Sequence, residues 1–192
     1  MTELGRLPDE LPVPEDDGAC DHLLHKNLPS VELASTDGNI IDLSRYPGWL
    51  VIYCYPMTGR PDRKLPDNWD SIPGARGCTP QTCSFRDHYL ELAGLNAAVY
   101  GLSTQTTEYQ LEAKQRLQLP FDLLSDHLLE FASALNLPVF AVDNIKLIKR
   151  VTLITESGNI KKIFYPVFPP AINPTQVINW LKAHKNNHAG HL

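Results

Sequence analysis

Cysteine is scarce in this chain, at four in 192 residues. No apolar run approaches the roughly 20 residues that cross a bilayer, which argues against a membrane span. Positive charge is not in excess. With 17 Lys and Arg against 22 Asp and Glu, the net charge is −5. Nothing global therefore attracts nucleic acid or an anionic membrane surface. The N-terminal MTELGRLPDELPVPEDDGACDHLL has neither the basic start nor the apolar centre of a secretory signal. These absences predict a cytoplasmic protein, where a close cysteine pair is more often redox-active or metal-binding than a structural staple. No internal repeat is visible. What is present, 43% hydrophobic and 20% charged residues, is the balance of one soluble domain with a sizeable core.

The pattern of apolar residues organises the chain. Residues 1–22, rich in proline and acids, read as an arm, 23–185 as the domain and 186–192 as a polar tail. Thr36-Asp37-Gly38-Asn39 separates two short apolar stretches and predicts a hairpin. The continuous apolar run WLVIYCY, 49–55, predicts a strand buried on both faces, ended by Pro56. AAVYGLS, 97–103, predicts a second. Residues 59–76 read as an irregular inserted loop. Helices are expected over 80–93, with Phe85, Tyr89 and Leu92 on one face, and over 108–117, 127–135 and 174–184. A short strand is expected at 121–125. Residues 147–155 and 159–165 flank Glu156-Ser157-Gly158 and predict a second hairpin. Strands alternating with helices, then a hairpin and a last helix, indicate an α/β fold with a mixed sheet.

Two of the four cysteines fall in one stretch, GCTPQTCSFRD, 77–87. Proline is tolerated in a helix only in the first turn, so Pro80 sets the helix start near Cys78 and Thr79. Free N–H groups at a helix start stabilise an anion, and the thiolate is the nucleophilic form of cysteine. Arg76 and Arg86 are expected to add positive charge. Cys78 is therefore the candidate nucleophile, with Cys83 further into the helix. Residues five apart in a helix have Cα atoms about 8.7 Å apart, whereas a disulfide needs about 4.4–6.8 Å. A Cys78–Cys83 bridge requires the first turn to unwind, which suits a catalytic disulfide rather than a structural one.

Gly-Cys-Thr-x-Gln-x-Cys-x-Phe-Arg-Asp resembles the active-site helix of the peroxiredoxins, in particular the Q-type or bacterioferritin-comigratory subgroup. The resemblance runs over roughly 24–183 and takes in Tyr55-Pro56, the FDLLSD stretch at 121–126 and the Arg-x-Thr strand from Arg150 to Gly158. It implies a thioredoxin-like fold, with a mixed central β-sheet flanked by helices and an N-terminal β-hairpin extension. It implies a thiol peroxidase that reduces hydrogen peroxide and organic hydroperoxides without a cofactor. Cys78 would be the peroxidatic cysteine and Cys83 the resolving one. Arg150 would sit beside the attacking sulfur, with Gln81 holding it, and Pro56 would shield the site. Thioredoxin or a similar dithiol protein would recycle the disulfide, and the chain would be a monomer or weak homodimer.

One departure is plain. The family keeps Pro-x-x-x-Thr/Ser-x-x-Cys, whereas here 22 positions separate Pro56 from Cys78 and Ala75 stands where a hydroxyl is expected. Thr58 is the candidate for the missing hydroxyl, with Ser71 and Thr79 as rivals. A zinc site of Cys78, Cys83 and His88 is disfavoured, because steps of five spread ligands around a helix. Cys54, mid-strand, reads as a buried apolar thiol, and Cys20 as exposed and incidental. His184, His188 and His191 read as a frayed tail. The competing functional class is a thioredoxin-fold disulfide exchanger or redox sensor. Such proteins prefer the tighter Cys-x-x-Cys pair.

Overall fold

The computed structural model describes residues 7–8 and 10–189, with side chains through 184. His188, His191 and the rest of the expected tail, 186–192, lie outside the described side chains. Seven strands form one sheet in the order β2-β1-β5-β4-β3-β8-β9. They are β1 (Glu32–Ser35), β2 (Ile40–Asp42), β3 (Trp49–Cys54), β4 (Ala97–Ser103), β5 (Leu123–Ser125), β8 (Val151–Glu156) and β9 (Asn159–Phe164). A separate two-stranded ribbon joins β6 (Val139–Val142) to β7 (Ile145–Ile148). The helices are α1 (Cys78–Asp87), α2 (Tyr89–Gly94), α3 (Thr107–Leu117), α4 (Glu130–Leu135) and α5 (Asn173–Ala189).

The central strands β3, β4 and β5 are parallel, and β8 lies antiparallel on the other side of β3. Side chains alternate along a strand, and β3 uses both faces. Leu50, Ile52 and Cys54 enter one core with Leu23, Leu28, Phe131 and Leu153. Val51, Tyr53 and Tyr55 enter the other with Phe85, Leu92, Ile154 and Leu181. This double burial is why WLVIYCY is continuously apolar.

The second core fixes the helix that matters most. The Tyr53 ring stacks on Phe85 of α1, with centroids 4.4 Å apart and planes 15° from parallel. Tyr53 fits because Gly101 on β4 has no side chain. A Cβ there would lie 2.7 Å from the Tyr53 hydroxyl and 2.6 Å from Leu123. Stacked and edge-to-face aromatic pairs add roughly 0.5–1.5 kcal/mol each beyond area burial.

Three expectations need correction. The helix expected over 80–93 is two helices, broken at His88, whose Nδ1 lies 2.8 Å from the Ser84 carbonyl. That side chain engages the same carbonyl as its own backbone N–H, and helical continuity is lost there. The helix expected from His127 begins at Glu130, because the Asp126 carboxylate accepts from Phe131 N (3.0 Å) and Ala132 N (2.9 Å). Four orphan N–H groups open every helix, and this carboxylate satisfies two of them. The strand expected over 147–155 is split between β7 and β8, and β6 was not expected at all. Asp143 and Asn144, at φ 48° and 63°, form the two-residue positive-φ turn that joins β6 to β7.

Candidate active site at the start of the first helix

Gly77 precedes α1 with φ +107°, a conformation that favours glycine. A Cβ there would meet Pro170 at 2.4 Å and Leu7 at 3.4 Å. This close packing presses the chain against the first turn of α1. Cys78 is the first helical residue and is buried, at 3% exposure. Its thiol donates to the Ala75 carbonyl at 3.6 Å. Position 75, where the family pattern has a hydroxyl, here contributes a backbone oxygen.

Arg150 reaches the sulfur from the position just before β8. Its Nη2 lies 3.3 Å from Cys78 Sγ and 3.1–3.3 Å from the Gly74, Ala75 and Arg76 carbonyls. Its Nη1 donates to Gln81 Oε1. None of these partners is a carboxylate, so the buried guanidinium is matched by neutral oxygens and faces the sulfur with its charge. Gln81 Nε2 in turn donates to Asn173 Oδ1 (3.1 Å), which also accepts from Thr152 Oγ1 (2.7 Å). Gln81, Asn173 and Thr152 are all fully buried. The chain of contacts from Cys78 through Arg150 and Gln81 to Asn173 ties α1, β8 and α5 together.

Cys83 sits one turn and a half along α1, half-buried, as a free thiol. Burial pushes its pKa up, while the Arg86 guanidinium opposes that rise. Arg86 therefore acts on Cys83 rather than Cys78, and its own contacts are Asp87 and the Leu117 carbonyl. Arg76 pairs with Asp70 at 3.3 Å. The arginine that touches Cys78 is Arg150. With α1 intact, both thiols are free.

Thr58 is fully buried, but its hydroxyl turns to Gln105 Oε1 (3.3 Å), which also accepts from Thr58 N (3.0 Å). Its carbonyl accepts from the Tyr109 hydroxyl at 3.0 Å. The N–H and hydroxyl of Thr58 thus face Gln105 just before α3, its carbonyl faces Tyr109 of α3, and no hydrogen bond joins it to Cys78. Pro56 is buried, and its carbonyl accepts from Ser103 Oγ at 2.9 Å. Of the rival hydroxyl residues, Thr79 lines the crevice over Cys78, and Ser71 lines a separate surface cleft.

The other two cysteines lie apart from this cluster. Cys54 is fully buried in the first core, and burial pushes its thiol up. Cys20 corrects the expectation of an exposed, incidental thiol. It is 3% exposed, it packs with Leu23 and Leu28, and burial is the main cause of a pKa pushed up to about 12. The arm reaches it because Asp17 is held by Lys149 Nζ (2.8 Å) and the Tyr165 hydroxyl (2.8 Å).

Sequence reasoning missed Asn173 and the Gly77 contact with Pro170. Asn173 carries no local signal, since it opens a helix 92 residues from Gln81. Thr152 did have one. Alternation puts 150, 152 and 154 on one face of β8, and Ile154 belongs to the α1-side core.

Comparison with known proteins gives the family. A family model described as Redoxin matches residues 24–178. The chain belongs to the redoxin family. Within it, the relatives are peroxiredoxins of the Q and Bcp type, as the helix motif implied. The chain is 34% identical over 99 residues to chloroplastic peroxiredoxin Q of Oryza sativa, covering 51% of this chain and 39% of that one. It is 32% identical over 102 residues to peroxiredoxin Bcp of Bacillus subtilis, covering 53% and 55%. The matches therefore span only about two fifths to just over half of these relatives' own length. Among solved structures, the bacterioferritin comigratory protein of Xanthomonas campestris superposes with a TM-score of 0.65 at 22% identity, over 91% of this redoxin and 96% of that chain. The likeness establishes the thioredoxin-like fold of this redoxin, with its mixed sheet and flanking helices. Among the described residues, no helix is long and apolar enough to cross a membrane.

Proposed function

We propose that this redoxin is a thiol-dependent peroxidase acting on hydroperoxides, with Cys78 as the attacking thiolate. The observation that carries the reading is Arg150 Nη2 at 3.3 Å from Cys78 Sγ, its charge unmatched by a carboxylate, at the start of α1. The thiolate attacks one peroxide oxygen in line and the O–O bond breaks. The other oxygen leaves as hydroxide or alkoxide and takes up a proton. The sulfur is oxidised by two electrons to a sulfenic acid, and the peroxide is reduced to water or an alcohol. Arg150 and the first N–H groups of α1 form a donor set aimed at the developing negative charge. Gln81 positions Arg150. Pro56 and Thr58 carry the chain into the Met57–Gly59 wall of the crevice.

Cys83 is the resolving thiol in this reading. Its sulfur displaces the sulfenic hydroxyl as water and forms the disulfide, after the first turn of α1 unwinds. A dithiol protein of the thioredoxin kind reduces the bridge by thiol–disulfide exchange. The compartment this reading assigns is the cytoplasm, where a close cysteine pair is more often redox-active than structural.

The test is peroxide consumption coupled to a thioredoxin, thioredoxin reductase and NADPH system. The reading expects catalytic turnover that is lost in Cys78→Ser. Disulfide exchange with protein substrates in the absence of any peroxide turnover would overturn it in favour of an exchange protein.

A further inference from the structure

We propose that the inserted segment is a size filter, in which Leu65 and Trp69 restrict the approach to Cys78 to the smallest peroxide, hydrogen peroxide. The inference rests on the peroxidase reading and adds its substrate class. The crevice over Cys78 is lined by Leu65, Trp69, Met57 and Thr79 and has a volume of about 10 Å³. That is about the room one water molecule needs. Hydrogen peroxide adds one oxygen to that demand. The carbon frame of a cumyl or fatty-acyl hydroperoxide does not fit in the crevice and must lie across its mouth, against Leu65 and Trp69.

The space for such a frame exists close by, behind a partition. Leu65 also lines a cleft of about 620 Å³ on one side and another of about 580 Å³ on the other. It is the residue common to all three spaces. Trp69 walls both the crevice and the larger cleft, is 4% exposed, and packs against Phe140 of the β6–β7 ribbon with centroids 6.2 Å apart. Trp69, Ala75 and Leu147 form a small buried cluster of their own, with Leu65, Ile72 and Phe140 against it. The insertion is thus anchored by apolar packing onto the ribbon, which holds Leu65 and Trp69 in place beside the crevice. A packed interior resists added volume. The Xanthomonas relative is described by its alkyl peroxide reduction activity, which makes the prediction a contrast within the family.

In the reaction, the thiolate bonds to the oxygen nearer Cys78 and the other oxygen departs with its substituent. The substituent must fit between Leu65 and the sulfur at that moment. One methylene too many in a close pocket costs about 10–200-fold, and a bulky group costs more.

The experiment compares kcat/KM for hydrogen peroxide and cumene hydroperoxide in the wild type, Leu65→Ala and Leu65→Gly. In parallel, peptide mass spectrometry follows alkylation of Cys78 by iodoacetamide and by the bulkier N-phenylmaleimide, without peroxide. The wild type should prefer hydrogen peroxide by about a hundredfold or more, and Leu65→Ala should narrow that ratio at least about tenfold. N-phenylmaleimide should gain on iodoacetamide in the same variants. A wild type that uses both peroxides equally, or a ratio unmoved by both substitutions, overturns the filter. If no variant consumes either peroxide, the peroxidase reading falls and the filter's substrate class with it. The alkylation arm would then show separately whether Leu65 limits access to the sulfur.

Discussion

Two pairs of cysteines occupy this protein, and their surroundings differ in kind. Cys20 and Cys54 lie in the first core among Leu23, Leu28 and Leu50, where burial drives both thiols towards the neutral form. Cys78 and Cys83 lie on α1 against the second core. There Cys78 touches a buried guanidinium, and Cys83 is half open to solvent. Burial alone does not make a thiol inert or reactive, since Cys20 and Cys78 are equally exposed at 3%. What differs is the set of polar partners that burial brings with it: carbonyls, a helix start and a charge for Cys78, and hydrocarbon with nearby acids for Cys20.

The sharpest way to break the comparison is to remove one cysteine at a time. Cys78→Ser should abolish reaction with stoichiometric peroxide, a fall on the order of a thousandfold or more, since the thiolate is the nucleophile. Cys20→Ser and Cys54→Ser should keep that first reaction, read by the rate of peroxide loss. Cys54→Ser should nonetheless lower stability by about 1–3 kcal/mol, for placing a hydroxyl in hydrocarbon. Equal losses in all three would erase the distinction.

Next in size is the effect of the guanidinium. Arg150→Met should slow the attack by about 10²–10³-fold, the usual cost of one aimed donor. Gln81→Ala should cost less, about tenfold, because the three carbonyls still hold Nη2. Stopped-flow measurement of peroxide reduction separates the two. A Gln81→Ala variant as slow as Arg150→Met would mean that the carbonyls do not suffice to place the side chain.

Cys83→Ser should leave the attack intact and remove recycling. A sulfenic-acid reagent should then label Cys78. In the wild type the bridging step should speed up as pH rises from 7 towards 9. Burial raises the Cys83 pKa, so its thiolate fraction grows about tenfold per pH unit below that value. A flat profile would show that bridging is limited by the unwinding of α1 alone. Amide exchange over 78–86 should be faster in the disulfide form, since the bridged cysteines cannot stay in a helical turn.

The smallest effect concerns Cys20. Its pKa is raised in the folded state to about 12 from 9.0, so its neutral-thiol preference stabilises fully below pH 9 and is lost as pH rises towards 12. Urea unfolding should therefore show the stability gap between wild type and Cys20→Ala shrinking by about 1 kcal/mol between pH 7 and pH 10.

The sequence revealed those parts whose physics is local. Pro80 marks the start of α1 because a proline has one place in a helix, and WLVIYCY marks β3 because both its faces are buried. Thr36-Asp37-Gly38-Asn39 marks a hairpin through its turn residues. The rest depends on contacts far along the chain. Cys20 is buried because Asp17 meets Lys149 and Tyr165, a pairing that no window of residues contains. Thr58 turns its hydroxyl to Gln105, 47 residues on, so nearness to Pro56 in sequence misled. The break at His88 comes from one side chain reaching back to Ser84, which amphipathic spacing does not register. Residues 59–76 carry too many prolines for a regular element, and their order comes from packing on the β6–β7 ribbon.

The most direct measurement is a disulfide map. The fully reduced wild type would be treated with one equivalent of hydrogen peroxide, quenched with an alkylating agent and digested without reductant for mass spectrometry. The account predicts one bridge, Cys78–Cys83 within a single chain, with Cys20 and Cys54 recovered as alkylated thiols. A bridge that includes Cys20 or Cys54, or a Cys78 bridge only between chains, would contradict it.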